Sequence, residues 1–556
     1  MSKVVSRECK FVLHAPPLDG TDLDLHFVKE WVTYDDGRIE PSFRVIPDFQ
    51  RPFWITMEHY RNHNDKKESE SLDRLVKYKA TQNTLHRAIA TRLGSRYIGA
   101  KSMRDISNSP YVYGTDIDSR AVLKKMYLDK YPDAVSSNKL AVLDIEVDVE
   151  EDKMLVISIC NHSEVYIAIL DSFIPNKRKL DEQLMYLYEK YIPETDISKN
   201  IKPVFELFDN ELDMLKSVIN RLHKWKPDFV AIWNIDYDIP YLIKLCKRFG
   251  VDPKDIFSDP SLPEEYRYFW YKQGKKVKLT ESGVHKPIDP HEQWHTVQTP
   301  CSWYWIDAMC AYYYIRVGGK KIPGGYSLNN ILEKELGSNM KKLKFEDTTE
   351  DGLLGVDWHK YMVKNKPLEY IIYNAWDTMS ILELDNKTKD LSNTISVLAG
   401  WSSYDIFDSG PKKIIDAMHY FYLDNGRVLG IKGSKEKEEE DLGLSEWIMI
   451  LNSDFVPESK LKVIEEEGVK HNIRSAVFDL DAVSSYPSDT RAANVSKDTT
   501  SRILIGIEGF DKIDFMKQNI NLFFGKVNSG EYCTTMMNFP TYDEMLNKIK
   551  EKRKIL

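Results

Sequence analysis

The stretch that most constrains the fold of this chain is residues 140–149 (LAVLDIEVDV), in which apolar and acidic side chains alternate. Alternation with a period of two predicts a β-strand and places Asp144, Glu146 and Asp148 on one face. Two carboxylates two residues apart on a strand can share a divalent cation. An edge strand with a solvated acidic face would show the same pattern, so this stretch alone leaves both interpretations open.

A second strand is predicted at residues 229–233 (FVAIW), where a continuous apolar run is typical of a strand buried on both faces. The chain then passes Asp236 and Asp238 into a helix predicted to begin near Pro240. Asp238 is thereby placed at the carboxyl end of a central strand, where helix capping and catalysis are both open interpretations. Asp307 occurs in a similar context and is interpreted as a helix cap.

A helix is indicated between residues 368 and 390 by apolar side chains at three- and four-residue spacing. Tyr373 and Asp377 are four residues apart and so share one face of that helix, which an ordinary surface pair would also do. Each signal is weak alone. The succession of strands and helices from residue 139 onward predicts an α/β domain built on a mixed sheet.

Length and composition bound the remaining possibilities. A chain of 556 residues predicts about three to four domains, and 42% hydrophobic residues are typical of a folded protein. Six scattered cysteines without Cys-x-x-Cys pairs indicate neither a disulfide framework nor a structural zinc site and favour a reducing cytoplasm. No apolar run of about 18 residues occurs, so we expect no membrane segment.

A net charge of −9 means that the field of the whole molecule would not attract nucleic acid. Contact with DNA would have to use local basic clusters, although each cluster taken alone is interpreted as a solvated loop or helix face rather than as a binding surface. The clusters are residues 272–278, 316–321, 341–344 and 548–554.

Taken in order, residues 144–146 (DIE), 234–238 (NIDYD) and 373–377 (YNAWD) resemble the three motifs of the proofreading 3′→5′ exonuclease domain of family B DNA polymerases. Residues 237–241 (YDIPY) and 326–328 (YSL) resemble neighbouring runs of that family. Because the second motif has the short form of a variable spacing, Asp236 competes with Asp238 for its carboxylate. The Ile-Pro-Tyr that follows favours Asp238.

The resemblance implies a ribonuclease H-like fold and hydrolysis of single-stranded DNA 3′ ends by two Mg²⁺ ions, for which Mn²⁺ can substitute. The implied metal ligands are the carboxylates of Asp144, Glu146, Asp238 and Asp377. Tyr373 would orient the attacking water.

Residues 476–489 (AVFDLDAVSSYPSD) resemble the first palm motif of the same polymerases, with Ser485 in place of the usual leucine. By this resemblance Asp481 would bind the catalytic metals of DNA synthesis. Ser484 and Tyr486 would belong to the nucleotide-binding site, with Tyr486 lying under the incoming sugar and excluding a 2′-hydroxyl.

Residues 490–556 contain neither the Lys-x-x-x-Asn-Ser-x-Tyr-Gly helix nor the Asp-Thr-Asp turn that the family needs for synthesis. We therefore expect the front half of a split bacteriophage polymerase, an α/β and α+β multidomain protein. Residues 1–138 would form a small mixed amino-terminal domain, completed by about 388–434. Residues 139–387 would form the exonuclease domain, and 435–556 a partial palm without fingers or thumb.

The expected function is proofreading, with one palm aspartate contributed to synthesis by a complex with a second chain. That chain would carry the fingers, the thumb and the rest of the palm. Primer–template DNA is the other expected partner, a replisome clamp is an additional candidate, and the expected location is the cytoplasm of a phage-infected bacterium. Two alternatives remain open: a free-standing 3′→5′ exonuclease with a vestigial palm, and a non-catalytic scaffold that binds template.

Overall fold

The computed structural model describes residues 2–17, 22–64, 66–94, 109–279, 284–317, 322–343 and 355–430, the single residues Met103, Ile106 and Phe345, and the backbones of four later strands. The chain divides into two compact units, Met1–Ile431 and Lys432–Leu556. In the second unit the four strands form two antiparallel pairs. The palm residues Asp481, Ser484 and Tyr486 lie outside the described residues.

The described strands are numbered in chain order. They are β1 Val4–His14, β2 Leu25–Tyr34, β3 Ile39–Pro47, β4 Arg51–Thr56, β5 Ser69–Ser71, β6 Leu75–Ala80, β7 Val112–Tyr113, β8 Leu140–Asp148, β9 Lys153–Cys160, β10 Glu164–Leu170, β11 Lys202–Phe208, β12 Phe229–Ile232, β13 Trp270–Lys272, β14 Val277–Leu279, β15 His285–Pro287, β16 Thr296–Gln298, β17 Tyr304–Asp307, β18 Arg427–Leu429, β19 Lys462–Glu466, β20 Val469–Ile473, β21 Thr500–Leu504 and β22 Glu531–Thr535.

The described α-helices are numbered in the same way. They are α1 Leu85–Leu93, α2 Ser119–Lys130, α3 Leu180–Tyr191, α4 Glu211–Trp225, α5 Ile235–Arg248, α6 Pro253–Phe257, α7 Ala308–Tyr312, α8 Leu328–Leu336, α9 Val356–Asn365, α10 Pro367–Thr388, α11 Ile395–Ala399 and α12 Gly410–Asp424. Two π-helical turns, Tyr313–Val317 and Asp390–Thr394, follow α7 and α10. Short 3-10 turns occur at Glu58–Tyr60, Leu72–Arg74, Asp171–Phe173, Ser198–Asn200, Glu264–Tyr266, Pro290–Glu292, Ser338–Met340 and Tyr404–Ile406.

A six-stranded mixed sheet, in the order β11-β10-β9-β8-β12-β17, forms the centre of the first unit. Strands β8, β12 and β17 are parallel to one another, whereas β9 is antiparallel to both β8 and β10. The predictions of a strand at residues 140–149 and of a buried strand at 229–233 are confirmed. Because β12 lies beside β8, the residues that follow β12 arrive next to the acidic side chains of β8.

The helix α10 packs on β8, β9 and β10 of this sheet. Most of its residues are buried on all sides, from Tyr370 to Asp385. A helix that is buried around its whole circumference belongs to the protein interior. The predicted helix is therefore present, but as a core element and not as a surface helix with one buried stripe.

The helix predicted to begin near Pro240 begins five residues earlier, at Ile235, so Pro240 lies inside it. An acceptor from another strand explains the difference, since Asp307 Oδ2 accepts a hydrogen bond from the Ile235 backbone N–H at 3.1 Å. The backbone that precedes Pro240 can therefore turn into a helix earlier than the proline indicated. Asp238 consequently lies in the first helical turn and not before it.

The amino-terminal part of the unit contains two three-stranded sheets, β1-β2-β3 and β6-β4-β7. The strand β18, which follows α12, pairs with β5 in antiparallel orientation. After the central sheet and α12, the chain thus returns through β18 to the amino-terminal part of the unit. No helix in the described part of the chain is long and apolar enough to cross a lipid bilayer.

Candidate active site

Three of the predicted carboxylates meet at the face of β8. Asp144, Glu146 and Asp377 each have a carboxylate oxygen within 4.8 Å of the others. Glu146 and Asp377 are buried, and Asp144 is partly exposed. Asp148 on the same strand instead accepts a hydrogen bond from the Glu150 backbone N–H at 2.8 Å, so its carboxylate stabilises the turn after β8.

The helix α10 supplies the groups that hold the β8 carboxylates in place. Asn374 Nδ2 donates a hydrogen bond of 2.7 Å to Asp144 Oδ2, and the Tyr370 hydroxyl donates to Glu146 Oε2. Tyr370, Tyr373 and Asn374 lie within two turns before Asp377 and face the same strand. The helix α10 therefore brings a carboxylate to β8 and also orients the carboxylates of Asp144 and Glu146.

Lys342 provides a positive charge in the centre of this cluster. Its Nζ lies 2.5 Å from Asp377 Oδ2 and donates a hydrogen bond of 3.0 Å to the Tyr373 hydroxyl oxygen. The preceding segment is anchored to α10, because Trp376 Nε1 donates to the Lys341 carbonyl at 2.9 Å. The basic run 341–344 was interpreted as a solvated surface, but one of its lysines belongs to the site.

The two aspartates that competed for the second motif are separated by the structure. Asp238 is buried, and its charge interacts with those of Asp144 and Glu146. Asp236 points to another partner set: it accepts hydrogen bonds from the Tyr271 hydroxyl at 2.8 Å and from Gln273 Nε2 at 2.5 Å. Asp238 is not among the carboxylates that lie within 4.8 Å of one another. Unlike Asp236, however, it interacts electrostatically with two members of that group.

Electrostatics distinguish the same two residues. Burial, together with the negative charges of Asp144 and Glu146, raises the pKa of Asp238 well above its usual value, although the Ile145 backbone N–H opposes the rise. Burial also raises the pKa of Asp236, but hydrogen bonds from Gln273 and Tyr271 outweigh it and leave that pKa below its usual value. Hydrogen bonds therefore stabilise the ionised form of Asp236, whereas burial and like charges disfavour the ionised form of Asp238.

The carboxyls of the cluster resist ionisation in the absence of a cation. Burial and the charge of Asp377 raise the pKa of Asp144 to about 8, against the opposing effects of Lys342 and Asn374. Burial and the charges of Asp144 and Asp377 raise the pKa of Glu146 well above its usual range. Burial raises the pKa of Asp377 as well, and Lys342 opposes that rise. Like charges that are forced together in this way are typical of functional sites.

Asp307 positions the helix that carries Asp238. Its Oδ1 accepts a hydrogen bond from the Cys310 backbone N–H at 2.8 Å, which confirms its prediction as the cap of α7. Its Oδ2 accepts from Ile235 at the start of α5. One buried carboxylate therefore caps two helices, and burial raises its pKa to about 7 against the effect of these backbone donors.

Two neighbours on α9 enclose the site, and sequence reasoning missed both. The ring of Trp358 lies 4.9 Å from that of Tyr373. His359 Nδ1 lies 2.7 Å from the Tyr370 hydroxyl and 3.6 Å from Glu146 Oε2. Their sequence positions carry no signal of this role, because α9 reaches the site through packing. For Tyr370 and Asn374 a signal existed, since both share the helix face of Asp377.

One protein-family model matches the part of the chain that contains β8 and β12. Residues 109–256 match the model of the family described as DNA polymerase family B, exonuclease domain. No curated protein matches the chain. The matched range contains β8, β12 and most of the elements around them, with Asp144, Glu146 and Asp238, whereas Lys342 and Asp377 lie after it. Over residues 109–256 the chain is thus similar to the exonuclease domain of family B DNA polymerases.

Proposed function

We propose that the chain is the proofreading 3′→5′ exonuclease part of a replicative family B DNA polymerase, with a ribonuclease H-like domain that hydrolyses the terminal phosphodiester of single-stranded 3′ ends. The observation that carries the proposal is the approach of Asp144, Glu146 and Asp377 to within 4.8 Å of one another. Asp238 completes the set, because its buried charge interacts with two of them.

The residues fit a pair of divalent cations. Asp377 Oδ1 is buried and has no hydrogen-bond partner among the described residues, and the pKa of Asp144 is raised to about 8 by burial and by Asp377. A buried acceptor without a donor and several crowded carboxyls are both relieved by a hard cation that takes oxygen ligands. Asp144, Glu146, Asp238 and Asp377 would hold two Mg²⁺ ions. When bound, these ions supply charge stabilisation for the phosphate and the leaving 3′ oxygen and activate water.

The side chains of this chain position the reactants. Lys342 donates to the Tyr373 oxygen, which fixes the hydroxyl and leaves its hydrogen for Asp377 or for an incoming water. Asn374 and Tyr370 orient Asp144 and Glu146 from α10. Because Trp358 packs on Tyr373, the hydroxyl is held by contacts on both sides.

A double replacement, Asp144→Ala with Glu146→Ala, tests the exonuclease. Wild-type protein should release nucleoside 5′-monophosphates from the 3′ end of 5′-labelled single-stranded DNA in Mg²⁺. The double variant should lose this activity and keep its melting temperature in EDTA, since removing two crowded carboxyls relieves repulsion. Tyr373→Phe should slow the reaction less than the loss of a carboxylate. Full activity of the folded double variant would refute the proposal.

For the second unit we propose that Asp481 contributes to DNA synthesis in a complex with a second chain, with Ser484 and Tyr486 at the nucleotide. Support comes from the palm-like motif at residues 476–489. DNA synthesis in the family that this motif resembles also needs a Lys-x-x-x-Asn-Ser-x-Tyr-Gly helix and an Asp-Thr-Asp turn. A chain that carries those motifs should bind this one and restore primer extension that depends on Asp481. Extension by the 556-residue chain alone would contradict this proposal, and so would a partner that needs no Asp481.

A further inference from the structure

A second cluster of metal-binding side chains lies in the amino-terminal part, away from the carboxylates described above. His14 is the last residue of β1 and pairs in register with His26 of β2, while Asp24 directly precedes β2. The three side chains each have a ligand atom within 4.8 Å of the others. They combine two imidazoles and one carboxylate, a donor set that zinc accepts in proteins.

The distances in this cluster match shared coordination. Asp24 Oδ1 lies 3.1 Å from His14 Nε2 and 3.1 Å from His26 Nδ1. Zinc bonds of about 2.0–2.2 Å in a tetrahedral arrangement place ligand atoms about 3.4 Å apart. Both histidine–aspartate distances are therefore within a few tenths of an ångström of the separation that shared coordination requires. The two imidazole rings are adjacent, with centroids 4.7 Å apart and an angle of 35° between their planes. Both rings contact the same oxygen of Asp24.

The buried nitrogen of His26 points to a ligand. The His26 side chain is fully buried, and its Nδ1 makes no hydrogen bond within the described residues, although Asp24 Oδ1 is close. Its one polar contact, with Asp24 Oδ1 at 3.1 Å, lacks the geometry of a full hydrogen bond, and a buried nitrogen without such a bond costs free energy. Coordination of a cation between Nδ1 and Oδ1 would remove that cost and also neutralise the carboxylate of Asp24, whose side chain is fully buried.

Neighbouring groups hold the three ligands in orientation. His26 Nε2 lies 2.8 Å from the Ser119 hydroxyl at the start of α2, so Nδ1 is the nitrogen left for coordination. Asp24 Oδ2 accepts a hydrogen bond of 2.9 Å from the Asn83 backbone N–H, which leaves Oδ1 toward the histidines. Outer hydrogen bonds of this kind, on the second ring nitrogen and the second carboxylate oxygen, are characteristic of metal sites in proteins.

We propose that His14, Asp24 and His26 form a structural site for a divalent transition-metal ion, with Zn²⁺ as the expected occupant. Two imidazole ligands favour zinc over Mg²⁺, which prefers oxygen donors and octahedral geometry. The His14 side chain is 20% exposed, so water can take the fourth position. The site uses no cysteine, which is why the cysteine pattern of the sequence did not indicate it.

The metal would bind the β1–β2 pair directly and would be held through hydrogen bonds by two other segments. His14 and His26 lie at the end of the pair where the chain passes from β1 to β2, Asn83 lies two residues before α1, and Ser119 begins α2. A cation that binds the folded arrangement and not the unfolded chain stabilises the fold in proportion to its saturation. We therefore expect Zn²⁺ to protect the amino-terminal part against thermal unfolding.

Zinc content is measured best in a full-length protein that carries Asp144→Ala and Glu146→Ala, because these changes remove two ligands of the other cluster. After incubation with ZnCl₂ and gel filtration, elemental analysis should find one zinc per chain. Adding His14→Gln to this background should lower the zinc affinity at least tenfold in a chelator competition. The change His59→Gln, at an exposed histidine, should leave the affinity unchanged and serves as the matched control.

Two further readouts keep the test independent of the folding of any one variant. In the parent protein, which carries only Asp144→Ala and Glu146→Ala, X-ray absorption at the zinc edge should show two imidazole ligands with oxygen donors. Zn²⁺ should raise the melting temperature of the His59→Gln protein but not that of His14→Gln. The proposal is overturned if the parent retains no zinc, if its zinc lacks imidazole ligands, or if His14→Gln binds zinc as tightly as His59→Gln.

Discussion

The ammonium group of Lys342 lies 2.5 Å from Asp377 Oδ2 and joins residues 35 positions apart in the sequence. Burial lowers the pKa of Lys342, but Asp377, Tyr373 and Asp144 outweigh that effect and raise it well above its usual value. The lysine is thus charged at neutral pH and opposes the rise in the pKa of Asp377. In the metal-free protein, Lys342 partly compensates the negative charge of the carboxylates, which a divalent cation would neutralise.

Replacing Lys342 with methionine should slow the exonuclease by about 10- to 100-fold, the equivalent of one hydrogen bond to a charged group. The pKa of Asp377 should rise in this variant, so the pH–rate profile should move toward higher pH. Single-turnover hydrolysis of labelled single-stranded DNA across a pH series measures both effects. Lys341→Met is the matched control, because Lys341 pairs with Glu333 at 2.6 Å outside the cluster. An unchanged profile for Lys342→Met would contradict this role.

Asparagine replacements should separate the two aspartates of α5. Asp238→Asn should reduce hydrolysis by about 100-fold or more, since an amide is a poorer ligand for a hard cation and each metal supplies several kcal/mol. Asp236→Asn should keep most of the activity, because Tyr271 and Gln273 can still donate to its amide oxygen. The rates of DNA hydrolysis by the two variants in saturating Mg²⁺ show which aspartate belongs to the second motif. The opposite order would assign the second motif to Asp236.

The raised pKa of Asp144 predicts a pH-dependent stability. In the folded protein this pKa is raised from 3.8 to about 8 by burial and Asp377. As pH increases from about 4 to about 8 the unfolded chain loses the proton and the folded chain keeps it, so the free energy of unfolding falls. Asp144→Asn removes this penalty and should raise the melting temperature in EDTA by about 2 °C or more near pH 8, with little change near pH 4.

Calorimetry of metal-free protein at several pH values measures this difference. Asp148→Asn is the matched control on the same strand, since its carboxylate caps a turn and asparagine can do the same. An equal gain for Asp144→Asn at all pH values would show that the proton linkage is wrong.

Loss of the shared cap at Asp307 should affect both stability and hydrolysis. Asp307→Ala leaves the Ile235 and Cys310 backbone N–H groups without their acceptor, which costs about 1–2 kcal/mol of unfolding free energy. Because Asp238 lies one turn after Ile235, activity should fall as well. Denaturant unfolding and the exonuclease assay measure these effects. Asp307→Asn should recover part of both, and a fully active, fully stable Asp307→Ala protein would exclude the positioning role.

Local sequence signals predicted the elements that carry the site. Period-two alternation located β8, a continuous apolar run located β12, and three- and four-residue spacing located α10. The start of α5 was predicted wrongly at Pro240, because its first backbone donor is satisfied by Asp307, 72 residues later in the sequence. When a helix is capped by a residue of a distant strand, the sequence next to the helix start contains no capping signal.

The sequence by itself determined which residue types could do the chemistry and on which elements they lie, because strand and helix periodicities are local properties. Only the tertiary structure decided which of them meet. The parallel pairing of β8 and β12 places Asp238 where its charge interacts with that of Asp144. Hydrogen bonds from Tyr271 and Gln273 hold the Asp236 carboxylate in a different environment. Long-range packing places Lys342 beside Asp377. The histidine–aspartate cluster at the β1–β2 pair depended in the same way on strand register, which places His14 opposite His26.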